Sequence, residues 1–427
     1  MNVEQISHED IEKVVKKRLA RNQENNHIID ERVEAIVNNV RKDGDQAVYQ
    51  YIRQLDGVEL DDYKVSQEEI DYAFTQVDES LIQILQEAKE NIVDYHKLQK
   101  EQSWYTNDQQ GVWLGQQVRP IERVGVYVPG GKAAYPSTVL MNILPAKVAG
   151  VEQVIVTTPV QRDGSVNPTT IVAAYMAGAD EIFKIGGAHG IATLAYGTEN
   201  VSSVHKIVGP GNAYVARAKK YVFGDVGIDL IAGPSEVCVV ADDEANAKFV
   251  AADLLAQAEH DELASAVAVT TNKQLADEIQ GEVERQKKKL KRQEILQQSI
   301  NNEGGIYVVS DLNDAFELVN ELAPEHLELQ VRNPFEQLDK VKNAGAIFLG
   351  DYSPEPLGDY FAGPNHTLPT SGTAKFSSPL GVYDFMKKSS VIYYNEQALS
   401  RVCSQVEQFA DEEGLDAHKE SVRIRFE

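Results

Sequence analysis

The hydrophobic pattern changes character twice along the chain. From Ile11 to about Lys100, apolar residues recur at helical spacing among acidic and polar ones. The run Leu81, Ile84, Leu85, Ala88, Ile92 and Tyr95 is the clearest case and predicts an amphipathic helix. Near Arg119, short β-branched runs begin to alternate with helical stretches, and glycines mark the joins. Residues 124–128 lead into Pro129-Gly130-Gly131 and a helix from about Ser137. Residues 154–158 precede a helix at 170–178, and 181–185 run into Gly186-Gly187. Residues 206–208 end at Gly209-Pro210-Gly211, followed by a helical 212–221. This strand–glycine–helix cycle predicts a parallel α/β sheet with ligand loops at the carboxyl ends of its strands.

A second set follows Gly233-Pro234-Ser235. Strands are expected at 237–241, 265–270, 306–310 and 346–349, and helices at 245–260, 274–293 and 313–322. The lysines at 287–289 read as an exposed charged face. The segment PEPLGDYFAGPNHTLP (354–369) is too rich in Pro, Gly and Asn for a helix or strand and reads as a long irregular loop. After Leu380 a short polar strand at 390–394 gives way to acidic helices. Two similar α/β units with a helical head and tail are the expected architecture.

Composition narrows the function. The 427 residues carry 66 acidic and 41 basic side chains, a formal net charge of −25, and such a field repels nucleic-acid backbones. Two cysteines, Cys238 and Cys403, exclude a disulfide framework and a thiolate-rich zinc site. Cys238 lies in an apolar strand and Cys403 on a polar tail helix with no neighbouring histidine, so neither reads as a nucleophile. No apolar leader and no run of membrane-spanning length stand in the sequence, and a cytoplasmic location is the expectation.

The glycine turns match neither GxGxxG nor a P-loop, because Ala133 follows Lys132 where a hydroxyl residue is needed. Such turns still bring backbone N–H groups close to a pyrophosphate, although each alone is equally explained by a tight strand-to-helix turn. Gln257 and His260, three apart, share a helix face. With no HExxH present, His260 is a candidate zinc ligand completed by another histidine and a carboxylate such as Asp359, against the blander reading of a surface Glu–His pair. Pro324 biases Ala323 toward an extended shape, which puts Glu325 and His326 on a bend where acid–base chemistry is feasible.

Longer strings carry a resemblance. VGVYVPGGKAAYPSTVLMN (124–142), KIVGPGNAYVARAK (206–219), AGPSEV (232–237), LLAQAEHDE (254–262), APEHLE (323–328), GDYFAGPNHTLPT (358–370), FSSPLGVYDFMKK (376–388) and EGLDAH (413–418) occur in this order. With them the chain resembles the histidinol dehydrogenase family from about residue 20 to His418. The resemblance implies oxidation of L-histidinol to L-histidine through a bound aldehyde, with two NAD, one water and one zinc ion per subunit. It implies zinc held by Gln257, His260, Asp359 and His418, and a catalytic pair Glu325 and His326. Histidinol would be held by Ser235, Gln257, His260, His326, Asp359, Glu413 and His418. NAD would meet Tyr127, Asn212 and the residue at 189, where the family motif GGAQ reads GGAHG, so that His189 replaces a glutamine. A neutral imidazole still makes one hydrogen bond, and NAD binding is expected to persist.

The resemblance implies two incomplete Rossmann-like units. The expected division is an N-terminal helical arm at 1–20, a first α/β domain at 21–120 plus 236–377, a second at 121–235, and a tail at 378–427. The tail would reach the partner subunit's site in an intertwined homodimer. Two rivals are a zinc hydrolase with Glu325 as base, which leaves the glycine turns unexplained, and a non-catalytic relative, which the full set of catalytic and metal residues disfavours.

Overall fold

The computed structural model describes residues 1–20, 27–130 and 134–427. The end of the turn expected at Pro129-Gly130-Gly131, together with Lys132, and the 20/21 boundary of the N-terminal arm involve residues outside that description. Two compact units emerge, residues 1–99 with 122–385 and residues 100–121 with 386–427. Each is described by itself.

The arm is helical at Ile11–Ala20 but begins with a strand, β1 (Asn2–Gln5). The acidic head folds as helices, among them His27–Tyr51 and Glu79–Lys97. In the latter, Leu85, Ala88, Ile92 and His96 form the buried stripe, while Ile84 and Tyr95 are exposed. Two strands absent from the sequence reading follow, β2 (Trp104–Thr106) and β3 (Val112–Pro120).

The first parallel sheet contains β4 (Arg123–Tyr127), β5 (Gln153–Thr157), β6 (Glu181–Phe183), β7 (Lys206–Val208) and β8 (Gly227–Ile228) in the order β6-β5-β4-β7-β8. The chain therefore reverses direction across the sheet between β4 and β7, which opens a crevice at their carboxyl ends. Alternation along the strands splits the core. Tyr127, Ile155, Phe183 and Ile207 pack with helices His27–Tyr51, Gly187–Tyr196 and Ala213–Val222, whereas Val124, Val126 and Val154 point to the other face.

The second sheet is β9 (Glu236–Ala241), β10 (Ser265–Thr270), β11 (Gly305–Val308), β12 (His326–Gln330) and β13 (Ala346–Leu349) in the order β1-β11-β10-β9-β12-β13. Its pairings are all parallel, and β1 closes its edge on β11. Discounting β1, the strand order repeats that of the first sheet. Val237, Val239 and Ala241 face helices Ala247–Ala258, Lys273–Lys287 and Gln293–Asn302. Cys238 and Val240 face helices Ile11–Ala20 and Leu312–Leu322.

Three expectations change. The helix read at 274–293 ends at Lys287, and Lys287 is buried against Glu284 and Gln297 rather than part of an exposed face. The segment read as a loop holds a helix, Glu355–Tyr360, because its proline falls in the first turn, where the missing N–H costs nothing. Ala323 is left-handed (φ 49°, ψ 62°) rather than extended, ending helix Leu312–Leu322 with its N–H on Val319.

In the second unit, β14 (Met386–Tyr394) runs antiparallel to β3 from Met386↔Pro120 to Tyr394↔Val112, and β2 completes a three-stranded sheet. Helices Glu396–Glu412 and Asp416–Arg423 follow. Among the described residues no helix is long and apolar enough to cross a membrane.

Candidate active site

The pair Glu325 and His326 stands at the amino ends of β9 and β12, not at the carboxyl ends favoured by the sequence reading. The strands bring it there in register, His326 lying beside Val237. Both side chains are buried. Glu325 Oε2 accepts from the N–H of Glu236 at 2.9 Å, and His326 Nδ1 lies 2.9 Å from the carbonyl oxygen of Glu236. A carbonyl only accepts, so Nδ1 carries the proton and Nε2 is left without a hydrogen-bond partner among the described residues. Nε2 faces Asp359, with 3.7 Å to Oδ1.

Helix Ala247–Ala258 carries Gln257 and places His260 just past its end. Helix Glu355–Tyr360 carries Glu355 and Asp359 one turn apart, on one face. The ligand atoms of His260, Glu355 and Asp359 lie within 4.8 Å of one another. Gln257 is wholly buried, yet neither end of its amide has a hydrogen-bond partner among the described residues. A fully buried amide normally has a hydrogen-bond partner, so this one stands open to a water, an ion or a ligand. Asp359 is fixed from behind by His366, whose Nδ1–H donates to the Asp359 carbonyl at 2.9 Å. Ser235 is partly exposed beside the pair and accepts from the Ser265 N–H through its carbonyl.

Too many carboxylates crowd this space for all to ionise freely. Burial pushes Glu325 up to about 8 and Glu355 up to about 7. Burial alone would lower His326, but Glu325, Asp359 and Glu355 outweigh it and raise the ring to about 10. Asp359 stays below the ordinary carboxylate range because His326, His366 and His260 outweigh its burial. Behind Glu355, the buried Glu328 accepts from the Glu355 N–H at 3.0 Å and from Gln330 at 3.0 Å, while Gln330 also donates to Asp253 at 2.7 Å.

Glu355 was not among the residues proposed from sequence. Its signal is the four-residue spacing to Asp359, visible only once the segment is recognised as helical. Glu413 and His418 belong to the second unit, Glu413 as the carboxyl cap of helix Glu396–Glu412 and His418 within helix Asp416–Arg423, both exposed.

The first sheet presents the other candidates at its crevice. Tyr127 ends β4, and its buried hydroxyl accepts from the Gly187 N–H at 3.0 Å. Asn212 begins helix Ala213–Val222, where its side-chain oxygen accepts from Tyr214 and Val215 N–H and leaves its amide nitrogen exposed. Gly209 must be glycine, since its φ is 111° and a Cβ would meet the Tyr127 carbonyl at 2.1 Å. The Gly209 N–H donates to Asp229 at 2.8 Å and its carbonyl accepts from Lys219 at 2.8 Å, so a buried ion pair fixes this loop. His189 lies in the first turn of helix Gly187–Tyr196, buried, with its ring 6.0 Å from Tyr51 and Nε2 3.5 Å from Asp56.

A sheet of nucleotide-binding strand order, coupled to a second sheet whose edge offers a base for proton removal, suits hydride loss to a nicotinamide; the class is an NAD-dependent oxidoreductase. The sequence profile of histidinol dehydrogenase matches residues 19–426. The chain belongs to the histidinol dehydrogenase family, oxidoreductases of histidine biosynthesis. It is 54% identical over 423 residues to the histidinol dehydrogenase of Bacillus thuringiensis subsp. konkukian, covering 98% of both chains. It is 55% identical over 408 residues to that of Bacillus cereus, covering 95% of both. The crystal structure of histidinol dehydrogenase from Elizabethkingia anophelis superimposes with a TM-score of 0.94 at 35% identity, covering 100% of this chain and 98% of that one.

Proposed function

We propose that the chain oxidises L-histidinol to L-histidine through a bound aldehyde, using two NAD, one water and one zinc ion per subunit. The observation that carries this reading is the free Nε2 of His326, aimed into a cluster where His260, Glu355 and Asp359 already converge.

The residues present suit zinc. Gln257, His260 and Asp359 offer oxygen and nitrogen donors, and the orphaned amide of Gln257 is what a missing ligand leaves behind. His418 from the partner subunit of an intertwined homodimer would complete the set. Zinc would supply a fixed positive charge that anchors the substrate's imidazole and amino groups. Ser235, Glu413, and the metal-side Gln257, His260, Asp359 and His418 would hold histidinol with His326. Tyr127, Asn212 and His189 would face NAD, whose pyrophosphate the backbone amides at the crevice can meet locally despite the acidic surface.

The steps balance. The alcohol gives one hydride to NAD and its hydroxyl proton to His326 Nε2, forming the aldehyde. Glu325, whose carboxyl burial pushes up to about 8, takes a proton from water in its ionised form as the water adds to the aldehyde carbon. The hydrate gives a second hydride to a second NAD, and the released protons pass to solvent, leaving the carboxylate. Besides Glu325, the carboxylates that hold a proton on His326 are Asp359 and Glu355, which belong to the cluster that would face the metal, so a filled site leaves the ring freer to act as base. A cytoplasmic location belongs to the same reading.

The test is NADH release from L-histidinol with and without a chelator. Two NADH per histidinol, and loss of rate on chelation, are expected. No NADH overturns the reading, and turnover of an ester or amide without NAD would favour a hydrolase instead.

A further inference from the structure

We infer that Glu236 is a positioning residue for the catalytic pair: its main chain aims Glu325 and His326, and its side chain holds that main chain in place. This rests on the proposed roles of the pair.

One peptide segment touches both groups. The Glu236 N–H donates to Glu325 Oε2 at 2.9 Å, and the Glu236 carbonyl accepts from His326 Nδ1 at 2.9 Å. The first contact fixes the carboxyl that would activate water, and the second fixes the tautomer that leaves Nε2 as the base. Any residue has these main-chain atoms, so the choice of glutamate must act through its side chain. That side chain accepts from the Ser371 N–H at 3.2 Å. Ser371 is one of three non-glycine residues described with positive φ, at 57°, a conformation that persists only where neighbours hold it. Three residues back, the Gly233 N–H donates to Thr370 Oγ1 at 2.7 Å, so the segment 233–236 is tied at both ends to the 370–371 turn. Gly233 packs closely on the same turn, since a Cβ there would sit 2.4 Å from Ser371 Oγ and would have to displace that hydroxyl.

The far side of Glu236 lines a pocket with Arg18, Pro234, Ser265 and Pro324. Arg18 is held there by Tyr307 at 2.8 Å and the Glu303 carbonyl at 3.1 Å; burial pushes the Glu236 carboxyl up to about 7, partly offset by the Ser371 N–H and the Arg18 charge. The N-terminal arm thus lines the pocket behind the segment whose front carries the acid–base contacts. Moving that segment would tilt both groups, and Ser235 with them, while leaving the metal-side Gln257, His260 and Asp359 where they are.

The experiment compares Glu236→Ala and Glu236→Gln in the full chain. Glu236→Ala should lower kcat by about 10- to 100-fold with KM for NAD nearly unchanged and any rise in KM for histidinol smaller than the fall in kcat, the mark of misaimed groups rather than lost binding. Glu236→Gln should recover most of the rate, since the amide oxygen still accepts from Ser371. Amide hydrogen exchange of the 366–376 segment should quicken in Glu236→Ala and not in Glu236→Gln. If Glu236→Ala does not fold, Glu236→Asp, which keeps the charge and shortens the reach, takes its place. An unchanged kcat, a loss mainly in KM, or equal losses in both variants overturns the inference. Unchanged exchange in Glu236→Ala overturns it whatever the substrate is. Failure of the wild-type chain to reduce NAD with histidinol instead strikes at the functional reading.

Discussion

His326 and Asp359 stand 33 residues apart in sequence, one at a strand start and the other on a short helix, yet Nε2 and Oδ1 lie 3.7 Å apart. The contact joins the acid–base pair to the cluster of candidate metal ligands. With the proposed roles, proton removal and substrate anchoring would share one small volume, as an alcohol oxidation requires.

Glu325→Gln separates the two oxidations. The amide cannot take a proton from water, so NADH formation from L-histidinal should fall by about 100-fold or more, and oxidation of L-histidinol to the aldehyde should fall much less. Single-turnover measurements with each substrate check this. Equal losses would overturn the division of labour between Glu325 and His326.

Mixing two inactive chains tests the shared site. His260→Ala and His418→Ala damage different parts of it, and random reassortment gives mixed dimers with one intact site. Activity should return to about a quarter of the wild-type value. Mixed dimers that form but stay inactive would mean a site built within one chain.

His189→Gln should lower the NAD half-saturation concentration or leave it unchanged. The buried imidazole lies beside Asp56 and Tyr51 with neither ring nitrogen hydrogen-bonded among the described residues, and the longer amide would offer both a donor and an acceptor in that place. A marked rise, read in initial rates at saturating histidinol, would show that His189 makes a contact the amide cannot supply.

Glu328 should make stability depend on pH. Burial and the neighbouring Asp253 raise its carboxyl from 4.5 to about 9. Below 4.5 folded and unfolded chains both hold the proton; above it only the folded chain does, so the contribution drains away as pH climbs toward 9. The slope is up to ~1.4 kcal/mol per pH unit. Glu328→Gln keeps an acceptor for the Glu355 N–H and cannot ionise, so its Tm should gain on wild type as pH rises from about 6 to 8.5. A gap that is flat or narrows with pH would contradict this.

Much of the framework was legible because buried parallel strands announce themselves as β-branched runs. Residues 237–241 and 265–270 were read as strands, and β9 and β10 run Glu236–Ala241 and Ser265–Thr270. Gln257 and His260 were visible as a helix-face pair. The antiparallel β3 was not, since its register is set by β14, whose Tyr394 pairs with Val112 across most of the chain. Glu355 was hidden by the prolines around it, which suit a first helical turn as well as a loop. The left-handed Ala323 was missed because Pro324 argues locally for extension, while the end of helix Leu312–Leu322 demands a cap. Tertiary context decided each of these, and local pattern could not.

The pairing of β1 with β11 carries a consequence for how the protein is made. Asn2 lies beside Gly305, so the first strand to leave the ribosome has no partner until about 300 residues later. At bacterial-scale elongation that is a wait on the order of 15–60 s. Through that interval the sheet of β4 to β8 can assemble, since its strands lie within one continuous stretch, while β1 stays an unpaired edge-seeking segment. The second sheet, and with it the seat of Glu325 and His326, thus joins strands made early and late, and cannot be complete until β13 at residues 346–349 has followed.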